Sequence, residues 1–231
     1  MEIDRKAFRS LSSGLYIISS IDADGRLCGC VVNTLLQVAS DPAQLLVSIN
    51  KQNATADAVS TSKRFCASVL SQDTTMDLIG TFGFKSSKDI DKFSEFDHDI
   101  CESGLPRLTH DTLATFEVSV DSTIDVGTHL VFIGTVKSAE VMGEGTPITY
   151  DYYHRVLRGK TPAKAASYND GDDPAKDEIV EVEETASSEQ KVAWRCKMCG
   201  YTVEGYPDGL PEDWRCPLCG MGRDYFEKVL I

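Results

Sequence analysis

No stretch of the 231-residue chain approaches the 18 or more apolar residues that a membrane-spanning helix requires. Its first residues, MEIDRKAFRS, lack the apolar core of a secretory signal, so a cytoplasmic protein is expected. A basic surplus is also missing: 23 Lys and Arg stand against 36 Asp and Glu, for a net charge of −13. Much of that charge is local. Residues 169–190, NDGDDPAKDEIVEVEETASSEQ, hold nine acidic residues against one lysine and carry −8, leaving −5 for everything else. Such a remainder gives no footprint for DNA or RNA, and no nucleic-acid partner is expected. There is no internal repeat and no G-x-G-x-x-G after a strand, so a doubly wound dinucleotide-binding domain is not indicated.

Cysteine, with eight copies, is used in two ways. Cys28, Cys30, Cys66 and Cys101 are scattered without metal or redox spacing and read as small buried apolar residues, the alternative being a redox pair such as Cys28 with Cys30 on one strand face. Cys196-Lys-Met-Cys199 and Cys216-Pro-Leu-Cys219 are two C-x-x-C pairs separated by 16 residues, able to offer four thiolates to one tetrahedral metal. A disulfide is the poorer reading in a chain of intracellular composition. Spacing alone favours zinc. Each pair is followed by glycine, however, which lets backbone N–H groups turn toward the sulfurs and tune an iron–thiolate centre.

Residues 1–168 read as mainly β. Strand-like runs start at Gly14, Leu27, Leu45, Phe65, Ala114 and His129, and Asp22-Ala-Asp-Gly25 is a hairpin turn signal between the first two. Two short helices fit near 55–63 and 74–80. Six strands with few helices argue for a closed or nearly closed antiparallel barrel. The acidic segment 169–190 is too charged to fold and reads as a flexible linker, letting residues 191–231 swing as a small separate module.

The polar segment Cys30–Thr55 interrupts this pattern with Asn33, Thr34, Gln37 and Ser40, and Asn50-Lys-Gln-Asn-Ala-Thr55 runs into a helix start. Unpaired N–H groups there, with Lys51, Asn53 and Thr55, would make a phosphate cradle; the plainer reading is an N-cap beside a solvated lysine. Lys85, Lys88 and Lys92 would form one basic stripe if helical, either meeting phosphate or lying solvated with Asp89 and Asp91.

The flanks of the last four cysteines, "CGY", "LPEDWRCPLCG" and a closing "DYFEKV", together resemble rubredoxin over residues 192–230. The resemblance implies one iron held by Cys196, Cys199, Cys216 and Cys219, in place of zinc. The stretch between the pairs is shorter than in free-standing rubredoxins, which implies a more exposed centre. Upstream, "VVNTLLQVASDP", "VSINKQNAT", "FGFKSSKDIDKF", "GTHLVFIGTV" and "ITYDYYHRVLRGKTPAKAASY" resemble the flavin reductase-like family of FMN-binding split barrels. That resemblance implies FMN lined by Asn33, Thr34, Gln37 and Val38, with Asn50, Lys51, Asn53 and Thr55 at the phosphate end and Lys92 as a further contact. It implies His129 and His154 near the nicotinamide and the flavin's open face, and a homodimer with the flavin near its interface.

A split barrel joined to a rubredoxin-like domain resembles the high-molecular-weight rubredoxins. The implied activity is that of an oxidoreductase passing electrons from NADH or NADPH through FMN to iron and on to a flavodiiron protein that reduces oxygen or nitric oxide. Two alternatives are an FMN and iron adaptor charged by another reductase, and a flavin reductase with a structural zinc ribbon.

Overall fold

The structure, a computed structural model, describes residues 3–162, 165–168 and 192–230. The acidic segment 169–190, with its expected role as a linker, lies outside the described residues.

Seven antiparallel strands make the main sheet: β1 (Tyr16–Ile21), β2 (Leu27–Val32), β3 (Leu35–Ser40), β4 (Ala43–Asn50), β5 (Arg64–Leu70), β8 (Thr112–Asp125) and β9 (His129–Val141). Their order is β2-β1-β5-β8-β9-β4-β3, with β6 (His98–Ile100) and β7 (Pro106–Leu108) paired apart as a small hairpin. Strands β2 and β3 stand at opposite ends of that order, yet only Asn33 and Thr34 separate them. Laid flat, the outer strands would be about 29 Å apart, whereas three Cα steps reach roughly 11 Å. The sheet is therefore rolled on itself, with Asn33 and Thr34 at the seam.

Rolling gives the sheet an inside and an outside. Ile18, Cys30, Val47, Ile49, Phe65, Val118 and Phe132 fill the inside, and α1 (Ala54–Ser62) adds Ala56 and Val59. The neighbouring Ile17 points the other way, into a second core with Leu15, Leu70 and the Leu78, Ile79 and Phe82 of α2 (Met76–Phe84). Each fully buried side chain of this kind contributes roughly 1.5–3 kcal/mol. The Asp22–Gly25 turn forms as expected, with Asp22 Oδ1 accepting from the N–H groups of Asp24 and Arg26.

All six expected strands are present, and β8 and β9 run beyond their expected ends at 120 and 136. Those extensions are exposed, 122–125 pairing with 130–133 and 138–141 with 114–117, so no apolar alternation marks them. Strand β3, inside the polar segment Cys30–Thr55, is an edge strand whose Leu36, Gln37 and Val38 are exposed, with a register shift against β4 between Gln37 and Ala39. A third helix, α3 (Tyr150–Arg155), begins at Thr149, whose Oγ1 accepts from Tyr152 N.

The basic stripe expected at Lys85, Lys88 and Lys92 does not exist. Lys85 is the C-cap of α2 and Lys88 pairs with Asp57 at the surface. Lys92 is 1 % exposed, and its Nζ donates to the carbonyls of Gly29 (2.8 Å) and Phe82 (3.1 Å). Phe82 lies in the last turn of α2, where carbonyls lack helical partners and a cation is favoured. Lys92 thus ties that helix end to β2, and in this position its ammonium is spent on the fold instead of on a phosphate.

The C-terminal residues form a three-stranded sheet, β11 (Thr202–Glu204), β10 (Val192–Cys196) and β12 (Phe226–Leu230). They were expected to swing free. They are seated against α2 instead: Met76 and Phe84 pack on the cluster formed by Cys196, Cys199, Cys216, Leu218 and Phe226.

Candidate functional site

Two turns of the same construction carry the last four cysteines. Gly200 N donates to Cys196 O (2.9 Å) and Gly220 N to Cys216 O (2.8 Å), while Cys196 N and Cys216 N donate to Tyr201 O (2.7 Å) and Met221 O (2.8 Å). Gly200 and Gly220 have φ of +84° and +74°, a region where a side chain would be strained. The glycine N–H groups thus close each turn on a carbonyl, and the backbone groups that face sulfur are those of Cys199 and Met198 at Cys196, Tyr201 at Cys199 and Met221 at Cys219. The turns converge so that all four Sγ atoms lie within 4.8 Å of one another, with Cys196–Cys219 at 3.6 Å and Cys199–Cys216 at 3.5 Å. A tetrahedral ion with metal–sulfur bonds of about 2.3 Å would set edges of roughly 3.8 Å. The tetrad fits a single iron or zinc ion.

Crowding of the four thiols favours one thiolate among them, with Cys199 and Cys219 both pushed up, the latter by burial. Hydrogen bonds from Cys199 and then Cys216 pull the Cys196 thiol far below its ordinary range, and the same contacts push Cys199 up. Cys196 and Cys199 are 0 % exposed and Cys216 2 %, so the centre is not the exposed one that the short spacer implied. Cys219 alone keeps an edge toward solvent.

At the sheet seam the structure gathers the polar residues from Cys30–Thr55 into two groups. In the first, Asn33 Nδ2 donates to Ser167 Oγ (2.7 Å), and Thr34 Oγ1 donates to Asn33 Oδ1 (3.2 Å). Ser167 Oγ donates to Tyr150 OH (2.9 Å), which bonds Thr161 Oγ1, which in turn meets His154 Nε2 (3.2 Å). His154 Nδ1 bonds Gly159 O (2.8 Å), so both ring nitrogens are engaged, and the ring stands edge-on to Tyr150. Tyr150, Thr161 and Ser167 escaped sequence reasoning. They lie within the quoted "ITYDYYHRVLRGKTPAKAASY", and a run of hydroxyls beside a histidine was the available signal.

The second group sits at the end of β4. Asn50 pairs across the sheet with His129, which is buried and bonds Thr128 Oγ1 through Nδ1 (2.8 Å). Asn50 Oδ1 accepts from Gln52 N (2.9 Å). Lys51 Nζ reaches Asp125 at the tip of the β8–β9 hairpin, and that contact holds the Asp125 carboxyl below the usual range. Asn53 is the N-cap of α1, accepting from Thr55 N (3.0 Å). Thr55 Oγ1 is buried at the same helix start beside the Cys30 thiol, with no closer hydrogen-bonding partner among the described residues. Gln37 and Val38 lie apart from both groups on the exposed edge of β3, Gln37 Nε2 donating to Ala39 O (3.3 Å).

Cys28, Cys30, Cys66 and Cys101 are all buried. No helix among the described residues is long and apolar enough to cross a membrane.

Comparison with known proteins covers both units. Residues 8–160 match the model of the flavin reductase like domain, and residues 194–227 that of the rubrerythrin, rubredoxin-like domain. The chain is 42% identical to a high molecular weight rubredoxin of Moorella thermoacetica, over 98% of this chain and 100% of that one. It is 40% identical to a ferric-chelate reductase (NAD(P)H) of Archaeoglobus fulgidus, over 72% of this chain and 98% of that protein. The flavin reductase of styrene monooxygenase from Pseudomonas putida S12 shares the fold, with a TM-score of 0.55 at 24% identity over 63% of this chain and 90% of that one.

Proposed function

Because the chain belongs to the flavin reductase-like family and carries a rubredoxin-like domain with four converging cysteines, we propose that it draws electrons from NAD(P)H onto FMN in residues 1–168 and delivers them singly to iron in residues 191–231. The observation that carries this reading is the tetrad itself: a four-thiolate site of the right size, seated on the domain that matches a flavin reductase. When bound, flavin accepts the two electrons of a hydride together and yields them one at a time, and a four-thiolate iron takes one.

The chain's own residues supply position. At the seam, Asn33 is held by Ser167 and Thr34, a fixed amide to orient the flavin ring, with Gln37 and Val38 along the adjoining edge. At the start of α1, the helix N–H groups, Lys51 and the Thr55 hydroxyl suit a phosphate, and Asn50 and Asn53 shape the loop that presents them. His129, beside Asn50, is assigned to the nicotinamide side, and His154 to the open face through the hydroxyl chain to Asn33. Cys196, Cys199, Cys216 and Cys219 hold the iron.

The domain that binds FMN is read as a split barrel, residues 169–190 as the connection between units, and the cytoplasm as the site of action. Exposed Leu36 and Val38 on β3, with Ile124 and Val126 on the β8–β9 hairpin, support pairing with a second copy near the flavin. The terminal acceptor proposed is a flavodiiron-type oxygen or nitric oxide reductase.

Anaerobic stopped-flow mixing with NADH or NADPH tests the reading. Flavin bleaching should precede loss of the iron–thiolate band, and an iron band that persists while flavin bleaches would refute it.

A further inference from the structure

Helix α2 has two apolar faces. Leu78, Ile79 and Phe82 are buried in the core of the reductase domain. Met76, Gly80 and Phe84, four residues apart, form a second stripe, along which Phe84 and Met76, the latter also touching the reductase core, pack on the cysteine cluster. Between them Gly80 leaves a notch filled by Leu218, the residue inside the second cysteine turn. A Cβ at Gly80 would lie 2.9 Å from Leu218 Cβ and 2.9 Å from its Cδ2.

The first cysteine turn lands close by. A Cβ on Gly200 would lie 2.5 Å from Arg158 O, and Lys160 Nζ donates to Lys197 O (2.9 Å). Both metal-binding turns therefore face the reductase domain, and Leu218 is only 1 % exposed. The edge at Cys219 and Gly220, with Pro217, stays accessible on the other side.

We propose that this seat is where an electron passes between the two cofactor sites, that Gly80 is its positioning residue, and that the iron is discharged through the Cys219 edge without leaving the seat. The proposal rests on the reading of FMN and iron above. Overall, NAD(P)H and two ferric centres give NAD(P)⁺, one proton and two ferrous centres. The described residues of one chain hold one such tetrad, so its iron must be emptied by an outside acceptor between the two electrons. A centre that enters from one face and discharges from another meets that need without repeated docking, and fixed geometry supplies the orientation that a tethered carrier must find each time.

The test compares Gly80→Leu with Gly83→Ala, a control on the same helix where a Cβ would meet Val31 at ordinary distances of 3.7 Å (Cγ2) and 3.8 Å (Cβ). Leu218→Glu attacks the seat from the other side in case Gly80→Leu misfolds. In the full holoprotein, amide hydrogen exchange of 197–200 and 218–220 should rise at least tenfold in both seat variants and stay unchanged in the control. Anaerobic mixing with NAD(P)H should then show flavin bleaching within about twofold of the parent and iron reduction at least tenfold slower. An open seat by exchange with unchanged iron reduction would overturn the proposal, as would turns that exchange freely in the parent protein. If NAD(P)H fails to bleach the flavin, the reading of the donor fails instead; photoreducing the flavin with a sacrificial donor then starts the same iron measurement.

Discussion

Asn33 and Ser167 stand 134 positions apart, and Asn33 Nδ2 donates to Ser167 Oγ across 2.7 Å. That bond fastens the seam of the rolled sheet to the chain beyond α3, because Ser167 also donates to Tyr150. It also fixes the amide assigned to the flavin ring.

Ser167→Ala removes this tether without creating volume to fill. The variant loses the bonds to both Asn33 and Tyr150; the share that fixes the Asn33 amide is worth about 1 kcal/mol, so flavin affinity should fall about fivefold. Titration of flavin fluorescence against apoprotein measures it, with the iron band as an internal check that the rest of the chain is intact.

Lys51 separates phosphate binding from folding. Its pairing with Asp125 is surface-exposed and screened by solvent, so Lys51→Ala should leave thermal stability nearly unchanged. FMN should bind roughly tenfold or more weakly through loss of a charge-assisted contact, while riboflavin should change little. Equal losses for both would assign Lys51 to the loop instead. Asn53→Ala is a poorer probe, since losing the α1 cap costs about 1 kcal/mol by itself.

Lys92 predicts a pH dependence. Burial lowers its pKa from 10.5 to about 8, against the opposing pull of Cys30 and Cys28 and with a small push from Lys85. Between those values the unfolded chain holds the proton and the folded chain does not, so stability rises with pH across that window. The span corresponds to about 3 kcal/mol. Cys30, pushed up to about 11 by burial, acts with the opposite sign above pH 9, so the effect is read as a difference. Urea denaturation of parent and Lys92→Met proteins from pH 7.5 to 10.5 should show the parent gaining on the variant as pH rises. Parallel curves would mean that the lysine keeps its ordinary pKa.

Cys216→Ser should abolish the iron–thiolate band yet leave FMN bound and bleachable by NAD(P)H, because the flavin contacts proposed here all lie before residue 169. Metal analysis and the visible spectrum of one anaerobic preparation report both halves. Stoichiometric zinc in the parent protein, grown in metal-balanced medium, would overturn the assignment of iron.

The tetrad was legible because C-x-x-C spacing and the following glycines are local features, and the structure needs only local turns to realise them. The seam was legible only as misplaced polarity at Asn33 and Thr34. No local pattern says that a two-residue step crosses from one end of a seven-strand order to the other. Lys92 was misread because its spacing from Lys85 and Lys88 matched a helix that does not form there, and a buried lysine is not distinguished by sequence from a solvated one. The seating of the C-terminal unit had an overlooked sign. Met76-Asp-Leu-Ile-Gly-Thr-Phe-Gly-Phe84 has one charge in nine residues, and a helix apolar around its circumference must be covered on both sides.

The order in which the chain is synthesised meets this architecture awkwardly. Strand β4 has β3 on one side, but its other partner, β9, arrives only with residues 129–141, so the strand's far edge stays bare while some eighty residues are added. The stripe of Met76 and Phe84 waits longer still, until the cysteine turns have left the ribosome. A chain cut short after residue 168 would close its sheet yet present these two side chains to water, and a truncated reductase domain should consequently be more prone to self-association than the whole protein.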